Sequence, residues 1–275
     1  MGRWLIGVVA SGFAFLVYVY LTLPDIRPLR TSNPTTTAFM ELRAGEARAA
    51  GRPVRAVHQW ASYGRISPHL TRAVLVAEDA AFWQHEGVDF EQLQESLEVD
   101  WARGRLVRGG STITQQLAKN LYLSPSKNPV RKLRELLIAR RLEAELPKSR
   151  ILELYLNVIE WGDGLYGAEA AARAYFHTSA AALGPAQAAQ LAAAIVNPRT
   201  MNPAHPSARL LRRQQLILRR MGTVVPPVEE APSPPAGHPV VPPSEDGAAP
   251  PADNLVEPPS DPLVEAPAPP PVELK

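Results

Sequence analysis

An uncharged apolar stretch, residues 4–23, is the feature that most restricts how this 275-residue chain can fold. At about 1.5 Å of rise per residue, a helix of that length spans the roughly 30 Å hydrocarbon core of a bilayer. Lipid offers no hydrogen-bond partners, so a segment that crosses it alone must be helical. Trp4 lies near one end and Tyr18 and Tyr20 near the other, where interfacial aromatic residues are common. The stretch predicts a transmembrane helix within an N-terminal anchor, residues 1–26.

A cleaved signal peptide is the competing interpretation of this stretch. The apolar run is longer than a usual signal core, and no small-x-small cleavage site precedes residue 24, which favours an uncleaved anchor. Positive charges do not settle its orientation: Arg3 precedes the stretch, whereas Arg27, Arg30 and Arg43 follow it. Counting these charges argues weakly against a cytoplasmic N-terminus, although a large following domain can translocate regardless of such a bias.

Residues 223–275 differ in composition from the rest of the chain. They hold 17 of its 29 prolines, with nine acidic side chains against one basic side chain, Lys275. Proline lacks an amide donor and fixes φ, so this segment cannot build helices or sheet ladders. We predict a disordered, acidic, proline-rich tail that acts as a solvated tether. Recruitment of a partner through its proline runs is the alternative.

The charge of the chain is divided unevenly along its length. The net charge is +2, and the tail carries −8 (one lysine against nine acids), so residues 1–222 carry +10. A basic body suits an anionic partner such as lipid headgroups, a diphosphate or nucleic acid, while a merely soluble surface is the alternative. The absence of cysteine excludes disulfides, cysteine-ligated zinc and a cysteine nucleophile.

The body consists of a lead-in segment, residues 27–66, and a helical domain, residues 67–222. Residues 31–66 are polar, which predicts irregular structure. Ser67 followed by Pro68 predicts a helix start, because serine caps helices and proline is favoured at their first position. Asp89 and Ser111 are the predicted caps of the next two helices. Later helices are predicted at 129–146, from 151 to the glycines at 162–164, and at 168–176, 184–196 and 206–221. Sustained β alternation is absent, so the predicted fold class is mainly α.

Glu78 and Asp79 end an apolar segment, residues 73–77, and a small-residue turn with Gly109 and Gly110 comes later. Apolar surroundings can raise the pKa of a carboxyl group and suit it to accept a proton. The glycine pair is followed by side-chain amides and a cation at residues 115–120. A flexible turn next to amides and a cation is suited to binding a sugar or a phosphate.

A second carboxylate, Glu135, lies in the helix predicted at 129–146. Arg131 and Lys132 precede it by four and three residues, so all three share one helix face. Spacing alone leaves two interpretations open: an ordinary solvated ion-pair face, or a functional cluster of cations around a carboxylate.

Residues 158–164 resemble the monofunctional biosynthetic transglycosylases of Gram-negative bacteria, and five motifs in this order resemble glycosyltransferase family 51. They are Glu78-Asp79-x-x-Phe82-x-x-His85-x-Gly87; Gly110-Ser111-Thr112-Ile113-x-Gln115-Gln116-x-x-Lys119-Asn120; Arg131-Lys132-x-x-Glu135 with Ile151-Leu152-Glu153-x-Tyr155-Leu156-Asn157; Tyr166-Gly167-Ala168-Glu169 with Tyr175-Phe176; and residues 191–198. The residues that remain are too few for a penicillin-binding domain, so a monofunctional enzyme is expected.

The resemblance implies a lysozyme-like α fold and an inverting, moenomycin-sensitive polymerisation of lipid II for cell wall biogenesis and cell shape. The donor would be a glycan chain on undecaprenyl diphosphate, and the product a β-1,4-linked strand. Glu78 corresponds to the general base, and Glu135 to a second essential glutamate that orients the cations. The implied substrate contacts are Asp79, Ser111, Thr112, Gln115, Gln116, Lys119, Asn120, Lys127, Arg131 and Lys132. Asp79 is expected to support the site rather than act as the base.

The resemblance also implies location and partners. It predicts a single-pass protein of the cell inner membrane with its catalytic domain on the periplasmic side. The implied partners are the membrane, lipid II, the lipid-linked glycan and proteins of cell division or wall synthesis. No cofactor is obligatory, although a divalent cation such as Mg²⁺ can assist at the diphosphate.

Some residues depart from the family pattern or imitate other sites. His177 stands where the family usually has glycine, which predicts a local loop change. Gln94-Glu95-Ser96 resembles a lytic transglycosylase pair but is interpreted as surface, and His85-Glu86 lacks the second histidine of a zinc motif. The basic helix at 206–221 is interpreted as lipid-facing or solvated rather than as a nucleic-acid surface. A lytic enzyme and a non-catalytic envelope scaffold remain the alternative functions.

Overall fold

The computed structural model describes residues 2–90, 94, 110–124, 126 and 128–222, all of them within one compact unit. Within these residues the helices are α1 (Gly2–Leu21), α2 (Ala38–Ala49), α3 (Pro68–Glu78), α4 (Ile113–Tyr122), α5 (Pro129–Glu145), α6 (Lys148–Val158), α7 (Ala168–Phe176), α8 (Pro185–Ala194) and α9 (Ala208–Arg220). Short 3₁₀ turns lie at Arg27–Arg30, Tyr63–Arg65 and Ala180–Ala182. The mainly α prediction is confirmed.

Helix α1 has the length and composition needed to cross a membrane. Its window Trp4–Leu21 has a mean hydropathy of 2.0, and only 6% of that window is buried inside the protein. Its side chains are therefore unlike those of a core helix, which would be packed against other elements. An N-terminal signal sequence meets the same criteria of length and composition.

The starts of the helices in the body follow capping chemistry. The Ser67 hydroxyl accepts a hydrogen bond from the His69 amide, and Pro68 opens α3 as predicted. The predicted cap of α4 is wrong: Thr112, not Ser111, accepts the hydrogen bond from the Gln115 amide. Either residue type can cap, and the Thr112 hydroxyl also donates to the buried Gly87 carbonyl at 2.7 Å. The helix predicted after Asp89 lies almost wholly outside the described residues.

The core is formed where α3, α4, α6 and α8 pack together. Helix α8 packs against both α3 and α9, and α4 packs against α5 and α6. The side chains buried there are mainly aliphatic: Leu70, Val74, Leu75, Ile113, Leu117, Ile151, Leu152 and Leu191. The packing brings the C-terminus of α3, which carries Glu78, next to α4 and α9.

A small sheet and the helix α2 were not predicted. β1 (Val57–His58) pairs in parallel with β3 (Leu165–Tyr166), which pairs antiparallel with β2 (Glu160–Gly162). Gly164 turns β2 into β3 at φ +70, where a Cβ would lie 2.3 Å from the Arg55 carbonyl oxygen. The prediction of irregular structure over 31–66 is wrong for residues 38–49, since Thr37 caps α2 and buried Met40 anchors it. Strands of two or three residues are too short to show alternation in a sequence.

His177 ends α7 in a left-handed conformation, with φ 54 and ψ 32. Glycine adopts this conformation without steric cost, which explains why the family pattern has glycine here. The departure at His177 is therefore confined to a helix C-terminus.

Candidate active site

Glu78 lies at the last residue of α3 with its side chain mostly removed from water. Burial raises the pKa of its carboxyl group above 4.5, while a hydrogen bond from Gln116 and the charges of Arg213 and Lys119 oppose that rise. A carboxylate in this environment gains from accepting a proton and so is suited to general base catalysis.

Gln116 and Tyr155 form a hydrogen-bonded chain that ends on Glu78. Gln116 Nε2 donates to Glu78 Oε2 at 3.0 Å, and the Tyr155 hydroxyl donates to Gln116 Oε1 at 3.0 Å. A fully buried tyrosine whose pKa is raised well above 10 by burial keeps its proton, so it can only donate to the amide oxygen. This fixes the Gln116 NH₂ group toward the carboxylate. Tyr155 lies in the third of the five motifs, but the sequence predicted no role for it.

Arg213 of α9 is a second residue at this site for which the sequence predicted no role. Its Nη2 lies 3.6 Å from Glu78 Oε1, and its Nε is buried without a hydrogen-bond partner in the described part of the chain. The interpretation of the basic helix as lipid-facing or solvated is therefore wrong for this arginine, because α9 packs against α8 and α3. Its neighbour Arg212 is exposed. The sequence shows a basic helix, but it does not indicate which of its arginines faces Glu78.

Asp79 organises the polypeptide around Glu78. Its carboxylate accepts a hydrogen bond from His85 Nε2 at 2.9 Å and another from the Ile113 backbone amide at 2.9 Å. The second contact lies at the N-terminus of α4, where a carboxylate also complements the helix dipole. Asp79 is 2% exposed and thus faces the protein interior, while Glu78 faces the site.

Glu135 forms the centre of a cluster of cations on α5. Its oxygens lie 2.6 Å from Arg131 Nη1 and 2.5 Å from Lys132 Nζ, and Lys132 Nζ also donates to Gln115 Oε1 at 3.1 Å. Glu135 is only 3% exposed, which excludes the interpretation of a solvated ion-pair face. A buried carboxylate of this kind fixes the positions of the two cations.

Lys119 connects this cluster electrostatically with Glu78. Burial lowers the pKa of its ammonium group; Glu135 and Glu78 oppose that change, whereas Arg131 and Lys132 add to it. We call Lys119, Arg131 and Lys132 with Glu135 the cation cluster. Three cations against one carboxylate leave it positive, which favours an anionic group beside Glu78.

The other predicted substrate contacts differ in exposure. Ser111 is exposed, whereas Thr112, Gln115 and Asn120 are buried and bonded within the protein: Gln115 Nε2 donates to Gly87 O and Asn120 Nδ2 to Gln116 O. Lys127 and Gly109 lie outside the described residues. No group of three or more histidine and acidic side chains among the described residues could hold a metal ion, so assistance by Mg²⁺ stays a prediction.

A sequence model of the family described as Transglycosylase matches residues 47–222, which contain every residue of this site. The chain belongs to the transglycosylase family. Relatives named "Biosynthetic peptidoglycan transglycosylase" agree with this assignment. The protein from Laribacter hongkongensis is 46% identical over 228 residues, covering 82% of this chain and 100% of the relative. The protein from Dechloromonas aromatica is 47% identical, covering 80% of this chain and 96% of the relative.

A third relative of the same name, from Aromatoleum aromaticum, is 56% identical over 167 residues, covering 61% of this chain and 73% of the relative. Membership confirms the resemblance based on the five motifs and makes the protein an enzyme of glycosyl transfer. The matched region begins within α2 and ends at Gly222, the last residue before the proline-rich segment.

Proposed function

We propose that this protein is a peptidoglycan glycosyltransferase that joins lipid II units into β-1,4-linked glycan strands, with inversion at the anomeric carbon and release of undecaprenyl diphosphate. The observation that carries the proposal is that two adjacent glutamines of α4 contact both parts of the site. Gln116 donates to the buried carboxylate of Glu78 at 3.0 Å, and Gln115 accepts at 3.1 Å from Lys132, which also contacts Glu135. Lipid-linked sugar transfer requires a base and a diphosphate site side by side.

Glu78 is the proposed general base. Its carboxylate accepts the proton of the acceptor 4-hydroxyl while that oxygen attacks the anomeric carbon of the donor. The hydrogen bond from Gln116 at 3.0 Å and the charge of Arg213 at 3.6 Å keep the carboxylate ionised and oriented before the reaction. The proton leaves Glu78 after the sugar–oxygen bond has formed.

The cation cluster is the proposed site of the leaving group. The bond between the anomeric carbon and the phosphate oxygen breaks, and negative charge develops on the diphosphate. Lys119, Arg131 and Lys132 stabilise that charge electrostatically, so no proton donor is needed. Glu135 holds Arg131 and Lys132 in place and thereby presents a preorganised site.

The remaining predicted contacts receive two kinds of role in this proposal. Exposed Ser111 and the amide of Gln116 contact sugar or phosphate, whereas Asp79, Thr112, Gln115 and Asn120 shape the site from within. Lys127 stays a predicted phosphate contact. We place the enzyme in the inner membrane, anchored by α1, with the domain on the periplasmic side where finished wall is assembled.

The decisive experiment compares the wild type with Glu78→Gln on labelled lipid II in bilayers. We expect glycan strands from the wild type and at least a hundredfold loss in the variant, because general base catalysis contributes about 10²–10⁴ in rate. The matched control is Glu86→Gln, which removes an exposed carboxylate a short distance along the chain. This control should polymerise at the wild-type rate.

The variant should also remain folded, which separates loss of chemistry from loss of structure. Since burial raises the pKa of Glu78, its ionisation costs folding free energy above pH 4.5. Glu78→Gln removes that cost, so its thermal midpoint near neutral pH should equal or exceed that of the wild type. Release of anhydro-sugars from finished peptidoglycan without polymer would instead support a lytic enzyme. Moenomycin is expected to block the wild type.

A further inference from the structure

Two arginines of α5 hold the C-terminal end of the apolar helix α1. Arg134 donates to the Thr22 hydroxyl at 2.9 Å and to the Thr22 carbonyl at 2.8 Å. Arg141 donates to the Tyr20 carbonyl at 3.3 Å, and its guanidinium lies 4.5 Å from the centre of the Tyr20 ring. The last carbonyls of a helix lack partners within the helix and carry partial negative charge, so the two cations complement this end of α1.

The segment after α1 is attached to the body as well. Arg30 donates to Glu145 Oε2 at 2.6 Å and to the Glu145 carbonyl at 3.0 Å, at the end of α5. Arg150 of α6 donates to the carbonyls of Leu29 and Ser32, each at 2.9 Å. Leu23, Ile26 and Leu29 are buried in the core. The junction between anchor and domain is therefore a set of specific contacts rather than a free linker.

Helix α5 also carries the cation cluster, at its N-terminal end. Arg131 and Arg134 are three residues apart, which corresponds to about 4.5 Å along the helix axis. Arg134 and Arg141 are seven residues apart on α5, but both contact residues 20–22, at the end of α1 and just after it. Helix α5 therefore crosses the end of α1 instead of running alongside it. One rigid element joins the end of the anchor to the proposed diphosphate site.

We propose that Arg134 and Arg141 are positioning residues that set the height of the cation cluster relative to the bilayer surface. The inference rests on the proposed function, because a lipid-linked diphosphate lies at the level of the headgroups. Interfacial aromatic and basic anchors determine the tilt and rotation of a membrane helix, and Tyr20 with Arg141 forms such an anchor. Contact between α5 and this anchor places Lys119, Arg131 and Lys132 where the substrate phosphates are.

Loss of the two arginines would remove the contacts of α5 with the end of α1, while the contacts of Arg30 and Arg150 keep the following segment attached. The tilt of the domain on its anchor would then vary more widely. The cation cluster itself would remain intact, since among the described residues neither side chain forms a hydrogen bond or ion pair with Glu135 or Glu78. The expected defect is thus one of alignment with substrate in a planar bilayer. In detergent micelles the amphiphiles rearrange around the protein, so a fixed height confers no advantage there.

The test compares Arg134→Gln/Arg141→Gln with the wild type, both full length, in two environments. We expect polymerisation of lipid II in liposomes to fall roughly tenfold or more, because small misplacements of reacting groups are costly. In detergent micelles the rate should stay within about twofold of wild type, since the active-site contacts are unchanged. The matched control is Arg140→Gln on the same helix, whose side chain is 56% exposed and lies 3.9 Å from Glu86.

A depth measurement tests the same inference without activity. The chain has no cysteine, so Ser126→Cys, at an exposed residue just before α5, gives a single labelling site. Quenching of a fluorophore there by lipids with quenchers at known depths should give one narrow depth in the wild type and a broader distribution in the double variant. Unchanged depth and unchanged liposome rate would overturn the proposal, as would an equal loss in micelles. A wild type that makes no polymer would refute the proposed function and leave the depth test valid.

Discussion

At the scale of single residues, the ionisation of Glu78 is balanced by opposing contacts. Burial favours the neutral acid, whereas Gln116, Arg213 and Lys119 favour the carboxylate. The proposed general base must be ionised before the reaction yet basic enough to take a proton, and this balance of contacts favours both properties. Of the three opposing side chains, Arg213 contributes the charge closest to Glu78 Oε1.

We therefore predict that Arg213→Gln moves the acidic limb of the pH–rate profile to higher pH. Without the arginine charge the pKa of Glu78 rises further. The Glu78 carboxyl group then stays protonated, and unable to act as a base, over more of the acidic range. At alkaline pH the carboxylate is ionised in either protein, and most of the rate should return. The measurement is kcat/KM for lipid II polymerisation across pH.

Two variants control this measurement. Arg213→Lys retains the charge and should keep the limb close to its wild-type position. Arg212→Gln removes an exposed cation from the same helix and should leave the profile unchanged. A uniform loss of rate at every pH in Arg213→Gln would mean that the arginine supports only the structure.

At the scale of elements, an ion network connects α2 with the β2–β3 hairpin. Arg43 of α2 lies 3.0 Å from Glu160 of β2 and 2.8 Å from Glu46. Arg199, in the segment after α8, lies 3.5 Å from Glu46 and 3.3 Å from Asp163. Glu160 is 4% exposed, and burial raises the pKa of its carboxyl group, with Arg43 as the main opposing charge. The pairs Arg43–Glu160 and Arg199–Glu46 join residues that are more than a hundred positions apart, so no local pattern indicates the network.

Arg43→Met is predicted to lower stability by about 3 kcal/mol near neutral pH, because it leaves a buried carboxylate without its partner. The pKa of Glu160, already raised in the folded protein, rises further in the variant. Below pH 4.5 Glu160 is protonated and the electrostatic cost disappears, so the deficit should shrink as the pH falls. Thermal midpoints of the detergent-solubilised protein across pH provide the measurement.

Arg52→Met is the matched control for this prediction. Its guanidinium is 48% exposed and 3.8 Å from Asp163, an exposed pair worth at most about 1 kcal/mol. A pH-independent deficit in Arg43→Met would show that packing of the arginine stem, rather than its charge, is what matters.

At the scale of the whole molecule, the match to the transglycosylase family stops at residue 222. The acidic tail from residue 223 therefore lies outside the region that carries the site. We predict that deletion of residues 223–275 leaves polymerisation of lipid II by the purified protein within about twofold of the full-length rate, since no binding energy at the site is lost. A larger loss in liposomes would assign the tail a part in catalysis itself.

The sequence by itself determined most of the helices and the family of this protein. Apolar periodicity and capping residues predicted α3, α5 and α7 through α9 close to their observed bounds, because these signals are local to each helix. The predicted end of α6 at 162–164 is wrong: the helix ends at Val158, and Glu160–Gly162 forms β2. The motifs predicted Glu78, Lys119 and Glu135 as site residues, since they combine residue types in a characteristic order.

Only the tertiary structure decided which side chains face one another. Arg213 lies beside Glu78, and Glu135 is buried between two cations. Thr112 rather than Ser111 caps α4. Arg134 and Arg141 contact the end of α1. Each of these outcomes depends on how one helix packs on another. A helical pattern defines a face but not the partner that covers it, and burial, which sets the pKa of Glu78, exists only once the helices have packed.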